Sequence, residues 1–267
     1  MIRDITIGQY YKADSVIHRL DPRVKLMGTL IFIISLFMGM NIWIYAVVTV
    51  ALAVVIKMSR IPLKFMVRGL KSIVILMITS AVFNLFLKPG DVLMQIWKLT
   101  ITYQGLKMAI FMVVRLIYLI VGTSLMTLTT TPNNLTDGLE KGLGFLKVIK
   151  VPVHEIAMMM SIALRFIPIL IEETDKIMKA QMARGADFEN GSLIKRAKAM
   201  VPILVPLFVS AFRRANELAM AMEARCYHGS EGRTKMKPLK YEKRDRIAYI
   251  SMVLYLGVII IVKIIAA

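Results

Sequence analysis

Residues 26–56 run for 31 positions without one charged side chain. A charge at the centre of a bilayer costs about 2.5–3.5 kcal/mol on insertion scales, and roughly 20 apolar residues cross the hydrocarbon. Thirty-one residues are too many for one upright helix, so a break near Gly39-Met40-Asn41 is expected, giving two closely spaced spans. Three more uncharged stretches follow. Residues 72–87 extend back through 65–71, where basic side chains can snorkel to the interface. Residues 116–136 are entered past Arg115, which is expected to snorkel as well, and 247–262 are short enough to need Lys263 at the water boundary. With 57% of its residues hydrophobic, the chain is expected to be an all-α integral membrane protein with about five transmembrane helices.

The first 25 residues carry Asp4, Asp14 and Asp21, and the apolar run behind them is far longer than the core of a cleavable signal, so the first span is expected to direct its own insertion. A lone cysteine, Cys226, excludes an internal disulfide framework. The formal charge of +18 raises the question of nucleic acid, and its distribution answers it. Residues 1–25 and the loop 57–71 each hold five Lys/Arg, the loop without any acid, whereas 88–107 holds three. That asymmetry puts the N-terminus and the 57–71 loop in the cytoplasm and the 88–107 turn outside, where Pro89-Gly90-Asp91 and the segment 101–103 suggest a small hairpin. Topology signals and attraction to an anionic leaflet account for the charge, and no nucleic-acid partner is expected.

Residues 137–246 form a cytoplasmic block with two unusually greasy stretches, 156–171 and 199–212, each followed by a charged amphipathic continuation. This suits two long helices lying at the membrane interface. Val151-Pro152 opens the first, Gly185 ends it, Gly191-Ser192 precedes the second, and Pro168, Pro202 and Pro206 are expected to kink or break them. Ala211, Ala215 and Ala219 recur every fourth position, so the two helices are expected to cross on that small face, although alanine is also simply the best helix former. Met158, Met159 and Met160 head a methionine-rich set suited to a surface that accepts several partners, or to ordinary core filling.

At the ends of the two long helices stand Ala183-Arg184-Gly185 and Ala224-Arg225-Cys226. A cation there is favoured by the helix dipole, and a guanidinium offers a rigid donor fork to a carboxylate on another protein. On spacing alone, two solvated arginines stabilising helix ends are the simpler account. Together with Gly8-Gln9-Tyr10, Ser15, His18, Leu20-Asp21-Pro22-Arg23-Val24-Lys25, Thr131-Pro132, Leu164-Arg165-Phe166-Ile167-Pro168 and Glu172-Glu173, these motifs resemble the transmembrane T component of energy-coupling factor transporters. Cys226 departs from that family's pattern, in which glycine is common.

The resemblance implies an importer subunit that couples two ABC-type ATPases, docked at Arg184 and Arg225, to a membrane-embedded substrate-binding S component held on the long helices. It also implies a plasma-membrane protein with a cytoplasmic segment 1–25, a membrane domain 26–136, a coupling-helix domain 137–246 and a last transmembrane helix 247–267. The chain has no G-x-x-x-x-G-K-[ST] loop, its three histidines are scattered, and adjacent His154-Glu155 point about 100° apart, so neither a catalytic site, a metal site nor a cofactor is expected. Asn134 reads as the cap of a helix beginning near Asp137. The alternatives are a dedicated cobalt or nickel importer subunit of the same family, a membrane-bound enzyme, or a stand-alone secondary carrier.

Overall fold

The computed structural model describes residues 10–71, 73–96, 99–186, 188, 192–229, 236 and 238–265; Gly8, Gln9 and Gly191 of the sequence motifs lie outside them. The uncharged run divides as its length requires, into α1 (Pro22–Phe37) and α2 (Ile42–Ser59), with the Asn41 side chain accepting the Trp43 N–H at 3.2 Å to start the second helix. Two helices follow, α3 (Leu63–Lys71) and α4 (Val74–Leu87), whose axes meet at 64°. The turn at 89–91 then opens an antiparallel hairpin of β1 (Val92–Ile96) and β2 (Leu99–Thr102).

The next helix, α5 (Tyr103–Thr129), starts and stops earlier than its uncharged stretch suggests. The Thr102 hydroxyl donates to the Lys88 carbonyl at 2.9 Å and accepts the Gly105 N–H at 3.1 Å, which ties the hairpin to the first turn. A Cβ on Gly105 would lie 2.9 Å from the carbonyl oxygens of Asn84 and Leu85, so only glycine lets α4 and α5 approach this closely. At the far end Pro132 disfavours helix in the residue before it, and the backbone is already extended at Thr130. A new helix, α6 (Pro132–Gly142), begins there, with the Thr131 hydroxyl accepting the Asn134 N–H at 3.3 Å. The cap is therefore Thr131, and Asn134 sits inside the first turn. A 3-10 segment (Gly144–Ile149) leads to α7 (Val153–Ala183), α8 (Leu193–Glu223) and α9 (Lys243–Ile265). Both α7 and α8 run unbroken through their prolines.

By length and composition α2, α5, α7 and α9 can each cross a membrane, and α3 with α4 makes a fifth, bent candidate. The class is an all-α membrane protein whose strands, among the described residues, are confined to one hairpin. α1 has 16 residues, about 24 Å at 1.5 Å per residue, and falls short of a full crossing. α7 qualifies although its charge pattern suggests an interfacial helix; it is the least apolar of the four.

The molecule divides into two compact units, of which one contains 10–138 and 239–265. Its interior is two apolar clusters. One joins Leu52, Ile61 and Met66 to Val121, Leu125 and Leu128 of α5; the other joins Leu36 to Ile44, Tyr45 and Val48 of α2 and to Ile259 of α9. Arg115 does not snorkel: it is buried midway along α5, its Nε–H donating to the Tyr45 hydroxyl at 3.0 Å and its guanidinium 5.0 Å from the Phe37 ring centre. Two aromatic partners from the neighbouring helices make burial better than a stretch toward water. Facing outward, α4 and α9 present exposed Ile75, Leu76, Phe83, Ile250, Val253 and Leu254, a surface suited to hydrocarbon.

The N-terminal motif ties one end of this unit together. Asp245, 2% exposed in the first turn of α9, accepts the Asp21 N–H at 2.9 Å on one oxygen and the Glu242 N–H at 2.8 Å on the other. The Asp21 carboxylate in turn caps α1 through the Arg23 N–H at 2.9 Å and holds the Arg23 guanidinium, which stacks 3.8 Å from the Tyr241 ring centre. The Lys25 ammonium donates to the Thr129 carbonyl at 2.8 Å and the His18 carbonyl at 3.1 Å, closing the C-terminus of α5. Burial holds His18 below its usual pKa, so the neutral ring donates from Nε2 to the Tyr11 carbonyl and accepts the Ser15 hydroxyl at Nδ1. Replacing Asp245→Ala strands two buried N–H groups and is expected to cost about 2–5 kcal/mol of stability, with Asp245→Asn costing about half as much. Unfolding of the full chain in mixed micelles, followed by circular dichroism, measures both.

Candidate functional site

The second unit contains 139–236, and its two long helices end alike. At the close of α7 the Ala186 N–H reaches back to the Gln181 carbonyl at 3.0 Å and the Gly185 N–H to the Met182 carbonyl at 2.9 Å, with Gly185 at φ +91°. At the close of α8 the Tyr227 N–H reaches the Met222 carbonyl at 3.0 Å and the Cys226 N–H the Glu223 carbonyl at 2.9 Å, with Cys226 at φ 55°. Each is a Schellman cap, which satisfies the last carbonyls by reversing the backbone through one left-handed residue. Ala183 is the last residue of α7 and Ala224 the first beyond α8, Arg184 and Arg225 occupy equivalent positions in the two caps, and both arginines are exposed. The departure at Cys226 leaves the turn intact; the side chain is carried in a conformation that ordinarily favours glycine.

Among the described residues one ion pair joins the helices that carry these caps. The Arg214 guanidinium of α8 donates to the Glu173 carboxylate of α7 at 2.9 Å, and Ser210 bonds the same carboxylate. Arg184 stands eleven residues after Glu173, and Arg225 eleven after Arg214. At 1.5 Å per residue, each tip lies roughly 16 Å along its helix from the shared contact. The described bonds between α7 and α8 lie beside the expected alanine row rather than on it. Ala211 is half-buried but Ala215 and Ala219 are exposed, and the described bonds run through Ser210 and Arg214, about 100° around the helix from Ala211 and Ala215. Glu173 can anchor both a hydroxyl and a guanidinium, which alanine cannot. Among the family-like pieces the Glu172-Glu173 pair carried this signal, and Arg214 carried none in isolation.

The adjacent His154 and Glu155 do not act on each other: His154 Nδ1 lies 2.8 Å from the Glu140 carboxylate, joining the start of α7 to the end of α6. Met159 and Met160 are exposed near the start of α7, 58% and 41%, while Met158 is half-buried and engaged. On α8 a separate apolar face, Val201, Leu204, Val205, Phe208 and Phe212, lies open along the helix.

Residues 13–236 match the family model CbiQ, described as cobalt transport protein. The chain belongs to the CbiQ family. Within that family it is 54% identical over 245 residues to the energy-coupling factor transporter transmembrane protein EcfT of Ruminiclostridium cellulolyticum, covering 92% of each chain. It is 56% identical over 250 residues to the protein of the same name from Clostridium kluyveri, 93% of each chain, and 48% identical over 254 residues to that of Bacillus subtilis, 95% of this chain and 96% of the relative.

For this CbiQ-family chain the two caps make a local prediction. A non-glycine residue in the left-handed region costs roughly 1–2 kcal/mol, so Cys226→Gly is expected to steady the end of α8 and Gly185→Val to loosen the end of α7. Amide hydrogen exchange reads both: the Tyr227 N–H is expected to slow several-fold in the first variant, and the Ala186 N–H to quicken in the second.

Proposed function

We propose that this chain is the transmembrane coupling subunit of an ATP-driven importer of vitamins or other micronutrients. Two ABC-type ATPases dock beneath it on Arg184 and Arg225, and a substrate-binding membrane subunit rests on α7 and α8. ATP is hydrolysed in the partners, and this chain transmits the movement. The observation that carries the reading is the equivalence of the two tips: same cap, both exposed, each eleven residues beyond its partner in the Glu173–Arg214 contact. A pair of solvated arginines that only neutralised helix dipoles has no need of matched geometry. The names borne by relatives about half identical over nine-tenths of the chain favour a coupling-factor importer over a dedicated cobalt or nickel system.

Nucleotide closure that drew the ATPases together would move both guanidinium tips, and the Glu173–Arg214 contact would convert that movement into rotation of one long helix against the other. The open face of α8 and the exposed Met159 and Met160 offer the substrate-binding subunit an adaptable apolar bed. Such a bed suits several interchangeable subunits. The N-terminus lies in the cytoplasm on this reading, since residues 1–25 and the loop 57–71 hold more basic side chains than the turn 88–107.

Reversing the charges tests the docking claim. Arg184→Glu with Arg225→Glu is expected to abolish co-purification of the ATPases and ATP-dependent uptake while the chain still inserts in the membrane; normal assembly and uptake would sink it. Sharing is tested separately, by pull-down from native membranes under varied vitamin starvation. More than one substrate-binding subunit is expected, and recovery of a single one throughout counts against an interchangeable set.

A further inference from the structure

The unit containing 10–138 and 239–265 has an apolar, half-open cavity of about 510 Å³, within the range of about 300–1,000 Å³ typical of ligand pockets. It lies between the first halves of α1 and α9 and the second halves of α2 and α5. At its closed end α2 and α9 pack through Tyr45, Val48 and Ile259, and the Ser35 and Tyr255 hydroxyls meet at 2.8 Å. Toward the other end α2 and α9 stand apart. Val54 and Met58 of α2 and Ile247 of α9 line the space and are 50%, 42% and 67% exposed, so it opens sideways, in the direction a bilayer would lie. Leu52 and Leu125, each 8% exposed, form the inner wall, and Val16 and Leu20 cover the end.

Water has little to hold it there. The polar groups on the wall are already engaged: Tyr255 with Ser35, the Thr29 hydroxyl with the Lys25 carbonyl, the Lys25 ammonium with two carbonyls. A water needs two to four polar partners, and an unfilled apolar gap forfeits dispersion contacts along its whole lining. Hydrocarbon is the available filler that fits both facts.

The charge at the rim says which lipid. Arg244 lines the open end, and Lys57, Arg60, Lys243 and Arg246 at the neighbouring helix ends are all exposed. The acids nearby are committed elsewhere: Asp14 to Arg19, Asp21 to Arg23, and Asp245 to two backbone N–H groups. Glu242 holds Arg244 through an ion pair whose carboxylate side is 59% exposed and whose guanidinium side is 34% exposed, and such a solvent-reached pair is weak enough for a phosphate to displace.

We propose that this cavity holds one acyl chain of an anionic phospholipid from the surrounding leaflet, with the lipid phosphate on Arg244 at the rim. The lipid acts as a wedge that completes packing between α2 and α9 where the protein supplies no side chain.

The test uses the full chain reconstituted in nanodiscs with phosphatidylglycerol carrying a diazirine in one acyl chain, followed by peptide mapping after illumination. Adducts are expected on Leu52 and Leu125, which annular lipid cannot reach. Labelling confined to outward residues such as Val253 and Ile261 overturns the proposal, and that result depends on no mutant folding. Ala51→Phe, which fills the cavity, is expected to cut the inner-wall adducts at least fivefold; an unchanged yield overturns it. Arg244→Gln is expected to lower the preference for phosphatidylglycerol over phosphatidylcholine by about fivefold, the effect of one basic side chain near an anionic surface. An unaltered preference removes the phosphate contact and with it the assignment to an anionic lipid.

Discussion

A helix ends with four N–H groups and four carbonyls that its own ladder cannot pair, and beside hydrocarbon there is little water to pair them. Most of the distinctive polar chemistry in this chain answers that constraint. Asp21 and Asp245 meet the N-termini of α1 and α9, Lys25 closes α5, Thr102 and Thr131 start α5 and α6, and two Schellman caps end α7 and α8. The apolar rods are nearly interchangeable in composition; their ends are not. A single buried carboxylate, Asp245, joins the N-terminal segment to the last helix across 224 residues of sequence, which no apolar contact of similar size would do so selectively.

The helices themselves were legible because the bilayer imposes a simple reading rule: absence of charge over a known length. The division of 26–56 at Asn41, the hairpin after Gly90-Asp91 and the glycine stop at 185 all follow from local chemistry within a few residues. The limits of α5 were misread because Thr102 and Pro132 set them, and these are capping and backbone effects invisible to a count of charges. Arg115 was misread for a different reason. Its partners, Tyr45 and Phe37, lie about 70 residues or more away in sequence, and no periodicity announces that a tyrosine will be waiting.

The same limit governed the candidate site. The two Ala-Arg pairs stood out because they repeat, and their cap geometry follows from the residues around them. Their relation to each other depends on Glu173 and Arg214, ordinary charges on amphipathic helices until the fold brings them together. Small residues at every fourth position suggest a crossing, and the bonded carboxylate of Glu173 marks a contact beside that row that no spacing of methyl groups announces.

Equal arms have a mechanical consequence. If α7 and α8 each tilt rigidly through the same angle at their shared ion pair, the two guanidinium tips sweep arcs of the same length, a gearing ratio of one. Insertion or deletion of a single residue between Glu173 and Arg184 would shift one tip by about 1.5 Å and swing it, with the helix face that leads to it, about 100° around the axis, upsetting that balance. If the two tips dock as proposed, the length of these segments matters as much as their chemistry.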